Sequence, residues 1–317
     1  MSRRNLKKRK DLAKRIENIF RERRLNLRKR VSLKRYTSFK IGGKAKYFIT
    51  VRKIEKLIEA VKIARELKIR FVLIGGGSNI LFDSRGFDGL VIRNKCEGIR
   101  IRKGGFVEAL SGTSLKKLIK KCSAHSLEGL ENLYGIPGTV GGAIYGNAGA
   151  YGSSISDFLE EVEILDLNGE RKVLKKEEIQ FGYRDSQFKR NGSIILKARF
   201  RLRKGKRKEI IEKIQEVWRK RREKIPPFPC AGSFFKNILK EDGKKIPAGE
   251  LIEKAGLKGF RIGDACVWRE HANFIINLGR ADSSQILSLA EKIKSEVKEK
   301  FGFELEEEVI FIPEKGI

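Results

Sequence analysis

The chain contains 317 residues, of which 40% are hydrophobic, and its formal net charge at pH 7 is +31. This length predicts about two domains, and the hydrophobic content excludes wholesale disorder. Neither an apolar run of 18 residues nor an apolar stretch before a small-residue cleavage site is present, which excludes a membrane-spanning helix and argues against a secretory signal.

The first 30 residues form a basic segment, with 14 Lys and Arg against 3 Asp and Glu. Its apolar residues recur near helical spacing, which predicts one amphipathic helix in a basic N-terminal extension over residues 1–35. They are Leu6, Leu12, Ile16, Ile19 and Phe20. The sequence leaves open whether this helix packs on the body of the protein or contacts an acidic partner.

Residues 36–98 have the pattern of a β-α-β unit. A strand is predicted at 45–51, a helix at 53–67, and two more strands at 70–74 and 89–93. Alternating strands and helices indicate an α/β subdomain.

Shorter strands dominate residues 99–204. Strands are predicted at 106–110, 160–167, 171–174 and 193–202, with a helix at 114–124. The Asn168-Gly169 pair predicts a hairpin turn between the second and third of these strands.

Residues 205–317 form the predicted C-terminal domain. A charged helix is predicted at 206–224, and the Pro-rich stretch 225–229 marks a boundary. The elements predicted after it are helices at 247–256 and 283–301 and strands at 265–268, 273–277 and 307–312.

Residues 201–224 form a second basic run, with 12 Lys and Arg against 4 Glu. Polyanion binding is one interpretation of these basic runs. The favoured interpretation is a solvated surface rich in Lys, Arg and Glu, as is common in heat-adapted proteins, because runs of charge are usually solvated faces. No helix-turn-helix, zinc finger or aromatic RNA-binding signature accompanies the charge, so we expect no specific nucleic-acid partner.

Two glycine-dense stretches are the strongest functional signals. Gly75, Gly76, Gly77, Ser78 and Asn79 directly follow a predicted strand, and consecutive glycines let backbone N–H groups surround an anion. The G-x-G-x-x-G fingerprint is absent, so this is not a Rossmann motif. The second stretch, residues 135–152, has seven glycines interleaved with apolar residues, which suits close approach to a large flat ligand.

These stretches belong to a set of motifs that occurs in one order along the chain. After them come Tyr183-Arg184-Asp185-Ser186, the GSFFKN segment at 232–237 and the LEEEV segment at 305–309. Together they closely resemble the MurB family, the UDP-N-acetylenolpyruvoylglucosamine reductases of bacterial cell-wall synthesis. The resemblance covers about residues 36–312, and the segments 247–264 and 271–277 are similar to its short, type II branch. The basic N-terminal segment lies outside it.

The resemblance implies an α+β fold. An FAD-binding module of vanillyl-alcohol-oxidase (PCMH) type would occupy two subdomains, 36–98 and 99–204, followed by a substrate domain at 205–317. Residues 75–79 would hold the FAD pyrophosphate. Residues of the second stretch would line the rest of the flavin: Pro137, Gly138, Thr139, Gly141, Gly142, Asn147, Ala148 and Gly149.

The same resemblance implies the reaction. NADPH would pass a hydride to FAD, and the reduced flavin would pass it to the enol-ether methylene carbon of UDP-N-acetylglucosamine enolpyruvate, giving UDP-N-acetylmuramate in the cytoplasm. Arg184 and Glu308 would stabilise the enolate, with Glu308 protonated, and Ser233 would donate the proton. Tyr183, Lys236 and Asn237 are implied substrate contacts, with Tyr183 equally compatible with core packing.

Other polar residues receive weaker interpretations. Cys230 is a rival acid close to Ser233, His271 is expected to support the fold, and His125 is expected to be exposed. The widely spaced cysteines fit reduced thiols, and with only two histidines we expect no metal site. A sugar or hydroxy-acid oxidase on the same flavin module remains the alternative enzyme.

Overall fold

The structure, a computed structural model, describes residues 3–241 and 243–316. The α-helices predicted from apolar periodicity are present, and their ends lie within a few residues of the expected ones. The α-helices are α1 (Arg3–Glu22), α2 (Ile54–Glu66), α3 (Leu115–Ala124), α4 (Val140–Tyr145), α5 (Arg207–Arg222), α6 (Ala248–Lys254) and α7 (Ser283–Phe301). Within residues 3–241 and 243–316, no helix is both long enough and apolar enough to cross a membrane.

The first sheet is mostly parallel and carries the predicted β-α-β unit. Strand Gly86–Asn94 lies at its centre, parallel to Lys44–Val51 on one side and to Phe71–Ile74 on the other. Helix α2 packs against it through a buried apolar face because its apolar residues recur at helical spacing. Strand Arg28–Ser32 adds an antiparallel edge next to Lys44–Val51. This edge strand lies within residues 1–35 and was not predicted.

Helix α1 confirms the predicted N-terminal helix and settles where its C-terminal half lies. Ile16 and Phe20 are buried, and both belong to the apolar cluster that includes α2 and the inner face of the first sheet. The side chains of Leu6 and Leu12 lie outside the described part of the chain. The helix therefore packs on the body of the protein through its second half.

The second sheet is antiparallel and five-stranded. Its strand order is Arg171–Lys175, Leu159–Leu165, Ile194–Arg201, Phe106–Leu110 and Ile99–Ile101. The hairpin at Asn168-Gly169 is present, with Gly169 at a φ of +81° and the Asp166 N–H donating to the Glu170 carbonyl over 2.9 Å. Helices α3 and α4 cover one face of this sheet and share its core.

The C-terminal part packs α6 and α7 on a small sheet of Arg261–Ile262, Ala265–Val267 and Ile275–Asn277. Helix α7 begins at an Asp282 cap, whose side chain accepts from the Gln285 N–H, and ends at Gly302 in the left-handed conformation. The described part of the chain also contains short two-residue strands: Leu127–Glu128, Gly149–Ala150, Ser153–Ser154, Phe181–Gly182, Asp185–Ser186, Arg203–Lys204, Ile238–Leu239 and Lys245–Ile246.

The last strand returns the chain to the first subdomain. Ile310–Ile312 pairs in parallel with Ile80–Phe82, which directly follows the first glycine-dense stretch. The Ile310 N–H donates to the Asn79 carbonyl over 3.1 Å. The C-terminal end of the chain is thereby fixed beside the loop at 75–79, and this contact sets the geometry of the site.

Candidate active site

The two glycine-dense stretches lie against each other. The hydroxyl of Ser78 donates to the Pro137 carbonyl over 3.0 Å. A Cβ placed on Gly76 would lie 3.0 Å from the Cα of Gly138, and one placed on Gly75 would collide with the Thr139 hydroxyl. Side chains on Gly75 and Gly76 would force the two loops apart, so their absence is what allows the contact.

The loop at 75–79 has the geometry of an anion-binding turn. Gly77 has a φ of +67°, and a Cβ there would collide with the Tyr36 carbonyl oxygen. In the described chain, the backbone N–H groups of Gly76, Gly77 and Ser78 donate to no protein atom. A row of free N–H groups on a tight turn is a common way for proteins to bind phosphate oxygens.

The start of α4 shapes the second stretch. The Thr139 side chain accepts from the Gly142 N–H over 3.3 Å and so caps the helix. The Gly141 N–H donates to the Ser111 carbonyl over 2.8 Å, and a Cβ on Gly141 would lie only 2.9 Å from that of Ser111. Gly141 therefore lets α4 start tightly against Ser111, which directly follows a strand of the second sheet.

Asn147 follows α4 and presents an unpaired oxygen. Its backbone is left-handed, with a φ of +42°, and its side-chain Nδ2 donates to the Gly182 carbonyl over 2.8 Å. Its Oδ1 is buried and has no partner within the described residues. A buried acceptor without a donor costs free energy, which a ligand that carries a suitable N–H or O–H would recover.

The two glycine-dense stretches, residues 75–79 and 135–152, together form a glycine cradle, and Arg184 and Glu308 form an ion pair at its edge. The Arg184 Nε lies 3.2 Å from the Glu308 Oε2, and both side chains are largely shielded from solvent. A Cβ on Gly149 would lie 3.0 Å from the Arg184 Nη1, so Gly149 leaves the space that the guanidinium occupies. Arg184 itself has a φ of +54°, a backbone conformation that residues other than glycine rarely adopt.

Burial raises the pKa of Glu308 above its ordinary value, although the charges of Arg184, Lys189 and Lys236 oppose the shift. This is the direction that a protonated role requires. Glu307 faces α7, where its carboxylate lies 3.0 Å from the Lys294 Nζ, while Glu306 pairs with Lys236. Of the acidic run, Glu308 is therefore the carboxyl that lies against Arg184.

Ser233 lies on a loop that is bonded to the Glu308 segment. The Glu308 N–H donates to the Phe234 carbonyl over 2.8 Å. The Asn273 side chain holds the other side of the loop, because it accepts from the Phe235 N–H and donates to the Phe235 carbonyl, each over 2.9 Å. Ser233, half-buried, thus comes from a loop fixed on both sides.

The three expected substrate contacts lie around the same loop. Lys236 is half-buried and pairs with Glu306. The ring of half-buried Tyr183 lies 4.5 Å from the Lys245 Nζ, so it is not a core side chain. The side-chain oxygen of Asn237 accepts from the Ala248 N–H over 3.1 Å at the start of α6, which gives this residue a structural contact as well.

Comparison with known proteins relates this geometry to a family. A model of the FAD binding domain matches residues 45–175, and a model of the C-terminal domain of UDP-N-acetylenolpyruvoylglucosamine reductase matches residues 223–312. The reductase of Caldicellulosiruptor saccharolyticus is 42% identical over 89% of this chain and 90% of its own length. That of Clostridium novyi is 39% identical over 96% of this chain and 98% of its own length. The chain belongs to the MurB family.

A solved MurB structure agrees with this assignment. The reductase from Thermus caldophilus superposes with a TM-score of 0.76 at 36% identity, covering 90% of this chain and 99% of its own. The expected α+β fold with a PCMH-type FAD-binding domain is confirmed, and the chain is an FAD-dependent oxidoreductase of this family. The expectation that the whole of residues 1–35 lies outside the resemblance is wrong, because the 96% coverage leaves too few residues unmatched.

The site fits the FAD that MurB members bind. The free N–H groups at 76–78 suit a pyrophosphate, and the unpaired Asn147 Oδ1 suits a donor from the ligand. A Cβ on Gly75 or Gly76 would press against the facing stretch, and one on Gly149 would press against the Ser153 carbonyl and the Arg184 guanidinium, so these glycines let the parts of the site come together. Within the described ranges, no group of three or more His, Cys, Asp and Glu side chains is arranged to hold a metal.

Three other polar residues considered in the sequence are Cys230, His271 and His125. Burial raises the pKa of the Cys230 thiol, which stays neutral at pH 7. Burial lowers the pKa of His271, whose ring packs 4.9 Å from that of Phe274. His125 is exposed, as expected.

Lys189 was not identified from the sequence. Its Nζ donates to the Arg184 carbonyl over 2.7 Å, and Glu308 is among the charged groups near it. The signal that could have found it is its position, five residues after Arg184 and three residues after the end of the same motif.

Proposed function

We propose that this chain reduces UDP-N-acetylglucosamine enolpyruvate to UDP-N-acetylmuramate in peptidoglycan precursor synthesis, with NADPH as the reductant. Family membership supports the reaction class. The observation that carries the proposal is the Arg184–Glu308 pair, at 3.2 Å, bonded through the Glu308 backbone to the Ser233 loop and set against the glycine cradle.

The cofactor is FAD, and the cradle residues would hold it. Gly75 to Asn79 would bind the pyrophosphate through backbone N–H groups. The second stretch would line the flavin through residues 137–139, 141–142 and 147–149. When bound, FAD supplies the two-electron chemistry, taking a hydride from NADPH and giving one to the substrate.

Arg184 and Glu308 would act on the substrate carboxylate. Addition of hydride to the methylene carbon moves an electron pair onto the α-carbon and into that carboxylate. The Arg184 guanidinium can donate hydrogen bonds to the developing charge. Glu308 can lie beside the same group only when protonated, and its burial raises its pKa in that direction.

Ser233 would complete the reduction. Its hydroxyl donates a proton to the α-carbon, a C–H bond forms, and the alkoxide regains a proton from solvent. The loop's bonds to Asn273 and Glu308 fix the hydroxyl relative to the enolate. Tyr183, Lys236 and Asn237 are proposed to contact the UDP-sugar part of the substrate.

Two half-reactions test the proposal. The purified protein is reconstituted with FAD, and NADPH added without oxygen should bleach the flavin absorbance near 450 nm. Addition of the enolpyruvyl substrate should then restore it with formation of UDP-N-acetylmuramate. A protein that binds no FAD, or whose reduced form is reoxidised only by oxygen, would refute this function.

A further inference from the structure

Lys189 is a largely shielded cation in the active site that the proposed reaction does not yet use. It ends a short 3₁₀ turn, Gln187–Lys189, and its side chain is only 20% exposed. Its Nζ donates to the Arg184 carbonyl over 2.7 Å and lies 3.9 Å from the Asp185 Oδ1. Shielding an ammonium from water costs free energy, which these contacts offset.

The carbonyl that Lys189 holds belongs to a residue in an unfavourable conformation. Arg184 has a φ of +54°, which a residue with a long side chain adopts only when its surroundings enforce it. The tight hairpin at residues 182–186, which contains Arg184, is held at both ends. The Asn147 side chain donates to the Gly182 carbonyl, and the Ser186 hydroxyl donates to the Tyr145 carbonyl. The bond from the Lys189 Nζ to the Arg184 carbonyl adds a contact to the backbone of Arg184 itself.

The charges around Lys189 come from three segments. Asp185 lies on its own turn, Glu306 and Glu308 lie on the C-terminal segment, and Lys236 follows the Ser233 loop. Burial and the charge of Lys236 lower the pKa of Lys189, while the carboxylates oppose this shift. In return, Lys189 and Lys236 lower the pKa of Glu308 against the effect of its burial.

We propose that Lys189 is a positioning residue, whose ammonium fixes the left-handed backbone of Arg184 and so keeps the guanidinium aimed at Glu308 and at the substrate carboxylate. This inference rests on the proposed function. It assigns Lys189 to the second half-reaction alone, because Arg184 has no task while the flavin is being reduced.

The decisive variant is Lys189→Met, which keeps a similar unbranched stem and removes the charge and the donor. We expect the rate of flavin reoxidation by substrate to fall about 10- to 100-fold, as for a misplaced catalytic group, while reduction by NADPH changes less than about twofold. Lys189→Arg retains a donor and a charge and should recover most of the rate. Lys175→Met, at an exposed lysine on the second sheet, should match the unaltered protein.

Two further readouts separate positioning from general damage. Hydrogen exchange over residues 181–190 should accelerate in Lys189→Met and not in Lys189→Arg. The alkaline limb of the pH profile for the second half-reaction should move to higher pH, because loss of a nearby cation raises the pKa of Glu308.

Equal slowing of both half-reactions, or an unchanged second half-reaction, would overturn the inference. Failure of the unaltered protein to react with substrate would instead refute the proposed function.

Discussion

The glycine cradle and the Arg184–Glu308 pair are built in different ways. The cradle is made of backbone, and its key residues lie in two short, continuous stretches at 75–79 and 135–152. The pair is made of side chains that are 124 residues apart in sequence and meet only because the last strand returns to Ile80–Phe82. The first region depends on the absence of side chains, whereas the second depends on particular ones.

This difference predicts different failures. A side chain added to the cradle should weaken the binding of the cofactor before any chemistry occurs. A side chain removed from the catalytic group should leave the cofactor bound and impair one half-reaction. The following experiments test this separation in order of the expected effect on activity.

Ser233→Ala should have the largest effect. Loss of a positioned proton donor costs about 10²- to 10⁴-fold, so flavin reoxidation by the enolpyruvyl substrate should slow by that factor. FAD content and reduction by NADPH should remain within about twofold of the unaltered protein. Stopped-flow absorbance at 450 nm measures both steps, and equal slowing of the two would show that Ser233 is not a dedicated proton donor.

Gly77→Ala should weaken FAD binding by about 100-fold, equivalent to roughly 3 kcal/mol. Its φ of +67° disfavours any side chain, and a Cβ there would collide with the Tyr36 carbonyl. The ratio of absorbance at 450 and 280 nm after dialysis measures retained flavin. The control is Gly152→Ala, whose φ is +81° but whose Cβ would meet open space. If both variants lose flavin equally, backbone strain and not the close contact is responsible.

Glu308→Gln should slow the second half-reaction by about tenfold, and Glu308→Ala by more, because glutamine keeps a neutral donor. Burial raises the pKa of Glu308, and only its protonated form is compatible with the substrate carboxylate. The rate should therefore fall as pH rises through that raised pKa, and this limb should be missing in Glu308→Gln. A limb that persists in the glutamine variant would assign it to another group.

The same comparison explains what the sequence could predict. The two stretches could be located from the sequence because their requirement, room for backbone next to backbone, is local and is met by glycine. The helices were found because apolar periodicity is local as well. The family resemblance implied only that both stretches would lie at the same flavin, and the bond from Ser78 to Pro137 shows that they also contact each other.

What escaped prediction depends on distant partners. Strand Arg28–Ser32 consists mainly of charged residues and looks like a basic tail, and it becomes a strand only because Lys44–Val51 offers it an edge. Lys189 is one lysine among 71 basic residues until the fold brings it against Arg184. The contact of Asn237 with the start of α6 likewise requires the two segments to meet.

Helix α1 lies outside both regions and should give the smallest effect on chemistry. Phe20 is fully buried against the cluster that contains α2, so Phe20→Ala should lower the free energy of unfolding by about 3–4 kcal/mol. Both half-reactions should change less than about twofold below the melting temperature, because no described contact joins Phe20 to the cradle or to Arg184. Denaturant unfolding and the same stopped-flow assay measure the two quantities. The control is Lys14→Ala at an exposed position of α1, which should change neither the free energy of unfolding nor the half-reaction rates. A large loss of activity in folded Phe20→Ala would mean that α1 acts on the site through the first sheet.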